Sequence, residues 1–240
     1  MSIAHKIADT IWGPSELIWE NPVPVSVSTA QHVANLMNLS FEEMNSKIIL
    51  DFGCGRGRYL EVFSRFNYKN CLFGLDIDSK SIQEVIIKGF NASIFELSNP
   101  IIQFSDESID IVFSSNVLEH IPPPIYYTVL KEIHRVLKPG GRFVVGIPNY
   151  PIKRLYDLFT ALSEPGRRRY YFLDDPTHCN KLSCRKLEKA LQPYFHEIRL
   201  MPSYLFFEDH VKTLKDPKIR AKLRYFGYKI SGYACKYSKE

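Results

Sequence analysis

No stretch of this 240-residue chain approaches the ~18 consecutive apolar residues that a membrane-spanning helix requires. The opening Met1-Ser2-Ile3-Ala4-His5-Lys6 has no apolar signal core behind it, so secretion is not expected. Cysteine is sparse: Cys54, Cys71, Cys179, Cys184 and Cys235 are odd in number and irregular in spacing, which argues against a disulfide framework and for reduced thiols in a cytoplasm. Cys179 and Cys184, with His178 beside them, match no common zinc spacing and lack a second ligand pair, so no metal is expected. Internal repeats, low-complexity tracts and a linker to a second domain are also missing. A single domain over residues 1–240 is therefore expected, long enough to bury a large core.

Charge is present but uneven. The formal net charge of +5 hides a division: residues 1–150 hold 12 Lys/Arg against 16 Asp/Glu, whereas residues 151–240 hold 19 against 10. A basic C-terminal portion suits an acidic substrate, a membrane surface or nucleic acid, and equally a solvated basic surface.

The most informative stretch is Ile48-Ile49-Leu50-Asp51-Phe52-Gly53-Cys54-Gly55-Arg56-Gly57-Arg58-Tyr59. Ile48, Ile49 and Leu50 suit a strand covered on both faces. Asp51 stands where that strand ends. Gly53, Gly55 and Gly57 permit positive φ and a close approach of a ligand to the backbone. A helix starting near Arg58 would turn its first N–H groups toward that ligand.

Around this motif the chain alternates between strands and helices. Strands are expected at about 47–52, 71–76, 92–96, 109–114 and 142–147. Helices are expected from Thr29 to about Phe41, at about 57–66, after a cap at Ser79, after Pro122-Pro123-Pro124, and at about 183–192. Pro139-Gly140-Gly141 is expected to end the helix before the fifth strand. This rhythm implies βαβ crossovers and a parallel sheet. Beyond Pro148 the rhythm changes: residues 149–178 are rich in Tyr, Arg and Pro. An extended segment Phe195–Met201, a helix at about 207–225 and a last strand near Gly232–Tyr237 follow.

Four blocks in order over residues 48–143 resemble the class I S-adenosylmethionine-dependent methyltransferases. The Asp51–Gly57 turn is similar to that family's first motif. Phe73-Gly74-Leu75-Asp76-Ile77-Asp78 resembles its second strand, and Phe104–Ile121 its fourth strand with the loop after it. Leu130–Phe143 resembles the helix and turn before its fifth strand. The chain as a whole is similar to the broad group that includes quinone- and glycan-modifying members. The resemblance implies an α/β, Rossmann-like, doubly wound sheet of seven strands, mostly parallel, with a C-terminal antiparallel hairpin. Residues 1–28 would be an N-terminal cap, 29–148 the cofactor-binding core, and 149–182 and 202–229 insertions forming a substrate lid.

The resemblance also implies site residues for S-adenosylmethionine. The backbone of Gly53, Cys54 and Gly55 would lie against its methionine part, and Asp51 would meet its amino group or else cap the turn. Asp76 would accept hydrogen bonds from both ribose hydroxyls, with Ile77 against the adenine face. Many relatives carry an acid after the third strand; counting places Ser98 there, and Glu96 is the nearest acid. Asn116 would line the cofactor's mouth. Glu119 and His120 belong to a Leu-Glu-His block, where the histidine is either catalytic or a brace for the loop. Asp174-Asp175-Pro176-Thr177-His178 resembles a segment near the substrate mouth, where His178 serves as general base or closes the lid. Arg167-Arg168-Arg169 with Tyr170-Tyr171-Phe172 suits a lid that clamps an anion, or a solvated loop. Val211–Tyr228 suits an amphipathic helix on lipid or on its own sheet.

The expected activity is methyl transfer to oxygen or nitrogen of a small-molecule, sugar or lipid-linked acceptor in the cytoplasm. Peripheral membrane contact stays open, as does the oligomeric state. Nucleic-acid methylation is the alternative, disfavoured because no Asn-Pro-Pro-Tyr or Asp-Pro-Pro-Tyr signature follows the fourth strand. A non-catalytic cofactor-binding scaffold and a nucleotide-dependent oxidoreductase are weaker alternatives.

Overall fold

A computed structural model of the chain describes residues 39–163, 174–204 and 229–237. The N-terminal cap, the helix start at Thr29, the Arg167–Phe172 stretch and the expected helix at 207–225 lie outside these residues. In chain order the elements are α1 (Phe41–Met44), β1 (Ile49–Phe52), α2 (Arg58–Phe63), β2 (Leu72–Asp76), α3 (Ser79–Ile87), β3 (Asn91–Ile94), β4 (Ile109–Ser115), α4 (Pro123–Val136), β5 (Leu137–Pro148), α5 (Ile152–Ser163), α6 (Cys184–Leu191), β6 (His196–Tyr204) and β7 (Lys229–Cys235).

Seven strands form one sheet in the order β3-β2-β1-β4-β5-β7-β6. The first five strands pair in parallel, while β7 lies antiparallel to both β5 and β6. This is the expected α/β sheet with its C-terminal hairpin. The order reverses at β1, whose two neighbours are β2 and β4. Loops leaving the carboxyl ends of β1 and β4 therefore diverge there and open a crevice.

Both faces of the sheet are covered, and strand side chains alternate between two cores. Leu50 and Phe52 of β1 and Phe143, Val145 and Ile147 of β5 point to one core, closed by Val129, Leu130 and Ile133 of α4 and Leu187 and Leu191 of α6. Ile49 and Val144 point to the other, closed by Leu60 and Phe63 of α2 and Ile82 and Val85 of α3. No helix among the described residues is long and apolar enough to cross a membrane.

Local chemistry sets the helix ends, with some differences from the sequence expectation. Asp78, not Ser79, caps α3: its side chain accepts from the Ser81 N–H. Ser183 caps α6 by accepting from the Lys186 N–H. Pro123 and Pro124 sit in the first turn of α4, where a missing N–H costs nothing. The strand after α4 starts earlier than expected, at Leu137. Gly140 and Gly141 belong to it because their backbone pairs with Lys236 just beyond β7 (3.1 and 2.9 Å). Helix α5 was not expected at all; Pro151 precedes its first residue and marks an entry rather than a break.

Candidate functional site

The glycine turn after β1 is hooked onto the end of β2. Gly53 and Cys54 both donate their N–H to the Leu75 carbonyl, at 2.7 and 3.0 Å. One residue on, the Gly55 N–H donates to Asp76 Oδ2 at 2.8 Å. The other oxygen of Asp76 accepts from the Asp78 N–H at 2.9 Å. A carboxylate offers about four lone-pair positions, so two remain for a ligand.

Each glycine of the turn has left-handed φ: +82° at Gly53, +49° at Gly55 and +82° at Gly57. Their surroundings differ. A Cβ at Gly53 would stand 2.1 Å from Val117 Cγ2, so the loop after β4 lies directly against the turn. A Cβ at Gly55 would meet nothing within 4 Å among the described residues, which leave the backbone there open. Cys54 points the other way: its Sγ packs beneath Gly74, and the side chain is buried in the α2/α3 core. Any ligand contact from Cys54 is therefore made by backbone, and burial raises its thiol pKa far above the usual range.

Asp51 is 1% exposed, and its Oδ2 has no hydrogen-bond partner among the described residues. Burial, then the nearby Asp76 charge, pushes its carboxyl well above the usual range. Among the described residues the Asp51 side chain makes no hydrogen bond to the turn. A buried unsatisfied carboxyl is costly and calls for a partner. Ile77, next to Asp76, is 51% exposed, an apolar surface at the crevice edge. The pieces fit S-adenosylmethionine: an acceptor for an ammonium group, an open backbone edge, a carboxylate with spare lone pairs and an apolar shelf.

At the adenine end, the Phe95 N–H donates to the Asp76 carbonyl at 2.8 Å, so the chain leaving β3 runs beside Asp76. Ser98 is exposed three residues later. No hydrogen bond joins Ser98 to the glycine turn or to Asp76 among the described residues. Asn116, just past β4, has φ +57°, a conformation asparagine tolerates, and its N–H donates to the Gly146 carbonyl at 2.8 Å.

Beyond Asn116 the loop forms a single tight turn, Leu118–His120. Glu119 is 1% exposed, and neither of its carboxylate oxygens has a hydrogen-bond partner among the described residues. Burial pushes its carboxyl up to about 8. His120 and His178 meet edge to face with centroids 4.8 Å apart, although 57 residues lie between them in the chain. His120 Nδ1 donates to the Thr177 carbonyl at 3.2 Å, since a carbonyl only accepts.

His178 is held by a relay from the end of β5 and the start of α5. Tyr150 Oη donates to Asp174 Oδ1 at 2.9 Å and lies 2.7 Å from His178 Nδ1. Burial opposes ionisation of Asp174, but Lys181, Tyr150 and Lys153 outweigh it and hold the carboxyl at about 2. Lys181 Nζ lies 2.7 Å from Asp174 and Lys153 Nζ 3.3 Å, with Lys153 also paired to Asp157. Burial holds the His178 imidazole down at about 4, against the opposing pull of Asp175. The ring is neutral at neutral pH.

The expected residues thus fall into two groups: Asp51, Gly53, Gly55, Asp76 and Ile77 around the glycine turn, and Glu119 and His120 on the loop after Asn116 with His178 packed against them from the segment before α6. Tyr150, Lys153 and Asp157 were not expected. The available signal was the position of Tyr150 just past the carboxyl end of β5, where such sheets place functional side chains.

The family described as "Methyltransferase domain" matches residues 30–194. The "Probable methyltransferase ltbC" of Aspergillus luteorubrus is 33% identical over 105 residues, covering 39% of this chain and 37% of that protein. The human "Probable tRNA methyltransferase 9B" is 26% identical over 187 residues, covering 65% and 40%. "Uncharacterized protein MJ0638" of Methanocaldococcus jannaschii is 31% identical over 115 residues, covering 48% and 47%. The chain thus spans less than half the length of each of these curated relatives. Among solved structures, a SAM-dependent methyltransferase from Archaeoglobus fulgidus superposes with a TM-score of 0.58 at 18% identity, covering 98% of this chain and 100% of that one. A methyltransferase solved in complex with the Haloferax volcanii Trm112 activator gives 0.60 at 16% identity, covering 98% and 93%. These two share the fold.

Proposed function

This chain belongs to the methyltransferase domain family, in the S-adenosylmethionine-dependent class I, and we propose that it transfers a methyl group from S-adenosylmethionine to an oxygen or nitrogen of a small-molecule, sugar or lipid-linked acceptor. The observation that carries this reading is the cradle made by the unsatisfied Asp51 carboxyl, the open backbone at Gly55 and the Asp76 carboxylate.

When bound, the cofactor supplies an activated methyl group on a sulfonium together with its leaving group. The residues of the chain do the rest. Asp51 would pair with the amino group, and the Gly53–Gly55 backbone would lie along the methionine part. Asp76 would take the ribose hydroxyls and Ile77 the adenine face. Ser98 and Asn116 would line the two ends. In-line displacement needs alignment and exclusion of water more than acid–base chemistry. His178, with a conjugate acid near 4 and Nδ1 held by Tyr150, is a weak base. Its proposed part is to place the acceptor.

A tRNA acceptor is the second reading, favoured by the name of the human relative and by the basic C-terminal portion. Against it, Asn116-Val117-Leu118-Glu119 stands where base-methylating enzymes carry Asn-Pro-Pro-Tyr. Incubation with methyl-labelled donor and separate pools of tRNA, lipid-linked glycans and small hydroxylated or amino compounds tests the choice. Label in the glycan or small-molecule pools supports the first reading, and label confined to tRNA overturns it in favour of the second.

A further inference from the structure

The loop after β4 and the segment before α6 bring together one carboxylate and two imidazoles. One ligand atom from each of Glu119, His120 and His178 lies within 4.8 Å of the others. We propose that these three residues form a binding site for a divalent first-row transition metal ion. Three features of the site support this.

Glu119 is sealed from solvent, and both its oxygens lack a hydrogen-bond partner among the described residues. A buried carboxyl with both oxygens unpartnered calls for a partner; Lys229 and Lys153 lie near enough to act on its charge, yet no hydrogen bond from the described residues reaches it, and a bound cation would hold it ionised. The two imidazoles beside it are the donors that, with one carboxylate, suit zinc, manganese, cobalt or iron(II). Magnesium keeps its waters and prefers oxygen ligands, so it fits less well.

Both histidines also carry the outer hydrogen bonds that metal ligands need. His120 Nδ1 donates to the Thr177 carbonyl, which makes Nε2 the lone-pair nitrogen of that ring. For His178, Tyr150 Oη gives its proton to Asp174, so the Tyr150 oxygen accepts from His178 Nδ1. Again Nε2 is the lone-pair nitrogen. A carboxylate or carbonyl behind each ligating histidine fixes ring and tautomer in established metal sites. Here one histidine has the carbonyl and the other an Asp174–Tyr150 relay.

The spacing requires a small contraction. Ligands about 2.1 Å from a tetrahedral ion stand roughly 3.4 Å apart, so the three donors must close by an ångström or so. Asp175 adds negative charge beside them, with Oδ2 3.4 Å from His178 Nε2. The nearby Lys153 is paired with Asp157 and Asp174. Three protein ligands leave coordination positions open. Under the methyl-transfer reading, those positions would be available to an acceptor oxygen; the binding site itself stands without that reading.

The test is titration of chelator-treated protein with Co2+, Mn2+ and Zn2+, read by cobalt absorbance and by metal content per chain. One equivalent of bound metal is expected. Glu119→Gln, nearly isosteric, and His178→Gln should each weaken Co2+ binding at least tenfold with folding unchanged by circular dichroism. Tyr150→Phe, which removes the outer hydrogen bond alone, should weaken it roughly 10- to 100-fold. Cys179→Ser should leave it unchanged. Absence of saturable binding overturns the proposal, as does binding insensitive to Glu119→Gln and His178→Gln, or binding lost with Cys179. Calorimetry with S-adenosylmethionine on the same chelated protein reads the cofactor cradle separately, so failure of one claim is distinguishable from failure of the other.

Discussion

Asp76 Oδ2 accepts the Gly55 N–H at 2.8 Å, so the carboxylate at the end of β2 holds the tip of the glycine turn after β1. One side chain shapes the turn and also presents lone pairs to whatever enters the crevice. Asp76→Ala should therefore weaken S-adenosylmethionine binding about 10- to 100-fold, the scale of losing hydrogen bonds to a charged group. His178→Ala should weaken it far less. Calorimetric titration of both folded variants checks the ranking; undisturbed binding by Asp76→Ala would remove it from the ribose role.

Gly53 and Val117 are in contact by design of the backbone. Gly53→Ala puts a Cβ 2.1 Å from Val117 Cγ2 at φ +82°. Backbone strain and overpacking together should cost about 2–4 kcal/mol. Adding Val117→Ala should recover the packing part and leave the backbone part. A double-mutant cycle by denaturant unfolding reads the coupling.

Asp51 should make cofactor affinity depend on pH. Burial and Asp76 raise its carboxyl above the usual range. Pairing with the cofactor's ammonium favours the ionised form, so binding releases a proton from Asp51. Affinity should rise as pH rises through the raised value. Titrations in buffers of different ionisation enthalpy measure the released proton, and Asp51→Asn should abolish it.

Arg135 staples the segment between β3 and β4 to α4. It donates to the carbonyls of Ile102 and Phe104 and pairs with Glu132 at 2.7 Å and Asp106 at 2.7 Å. Hydrogen bonds from Arg135 hold the Glu132 carboxyl below its usual value despite partial burial. A lowered acid stabilises the fold above its unfolded value of about 4.3 and loses that contribution as pH falls through the folded value. Arg135→Ala should cost about 2 kcal/mol, and Glu132→Gln should flatten the acid limb of the stability profile. Denaturant unfolding from pH 6 to pH 3 measures both.

Legibility in the sequence followed the range of the interactions. The β1–turn–α2 unit and Asp76 were readable because strand burial, positive φ and a terminal carboxylate are written in adjacent residues. Asp78 and Ser79 both suit the N-cap of α3 in the sequence, and only the bond to the Ser81 N–H decides between them. Helix α5 was missed because Pro148, Pro151 and the Tyr/Arg-rich run obscured its period. The start of β5 was set by Lys236, a pairing with the end of the chain that no local pattern encodes. The meeting of Glu119, His120 and His178 was illegible for the same reason: it depends on a segment beyond β5 folding back over the loop after β4.

The glycine turn and Asp76 are expected to hold S-adenosylmethionine. Calorimetric titration of the purified protein with S-adenosylmethionine and S-adenosylhomocysteine, with NAD as control, tests it most directly. Saturable binding of the first two in the micromolar range, with none of NAD, is the predicted result. Binding of NAD, or of none of the three by folded protein, would contradict the assignment of the cradle.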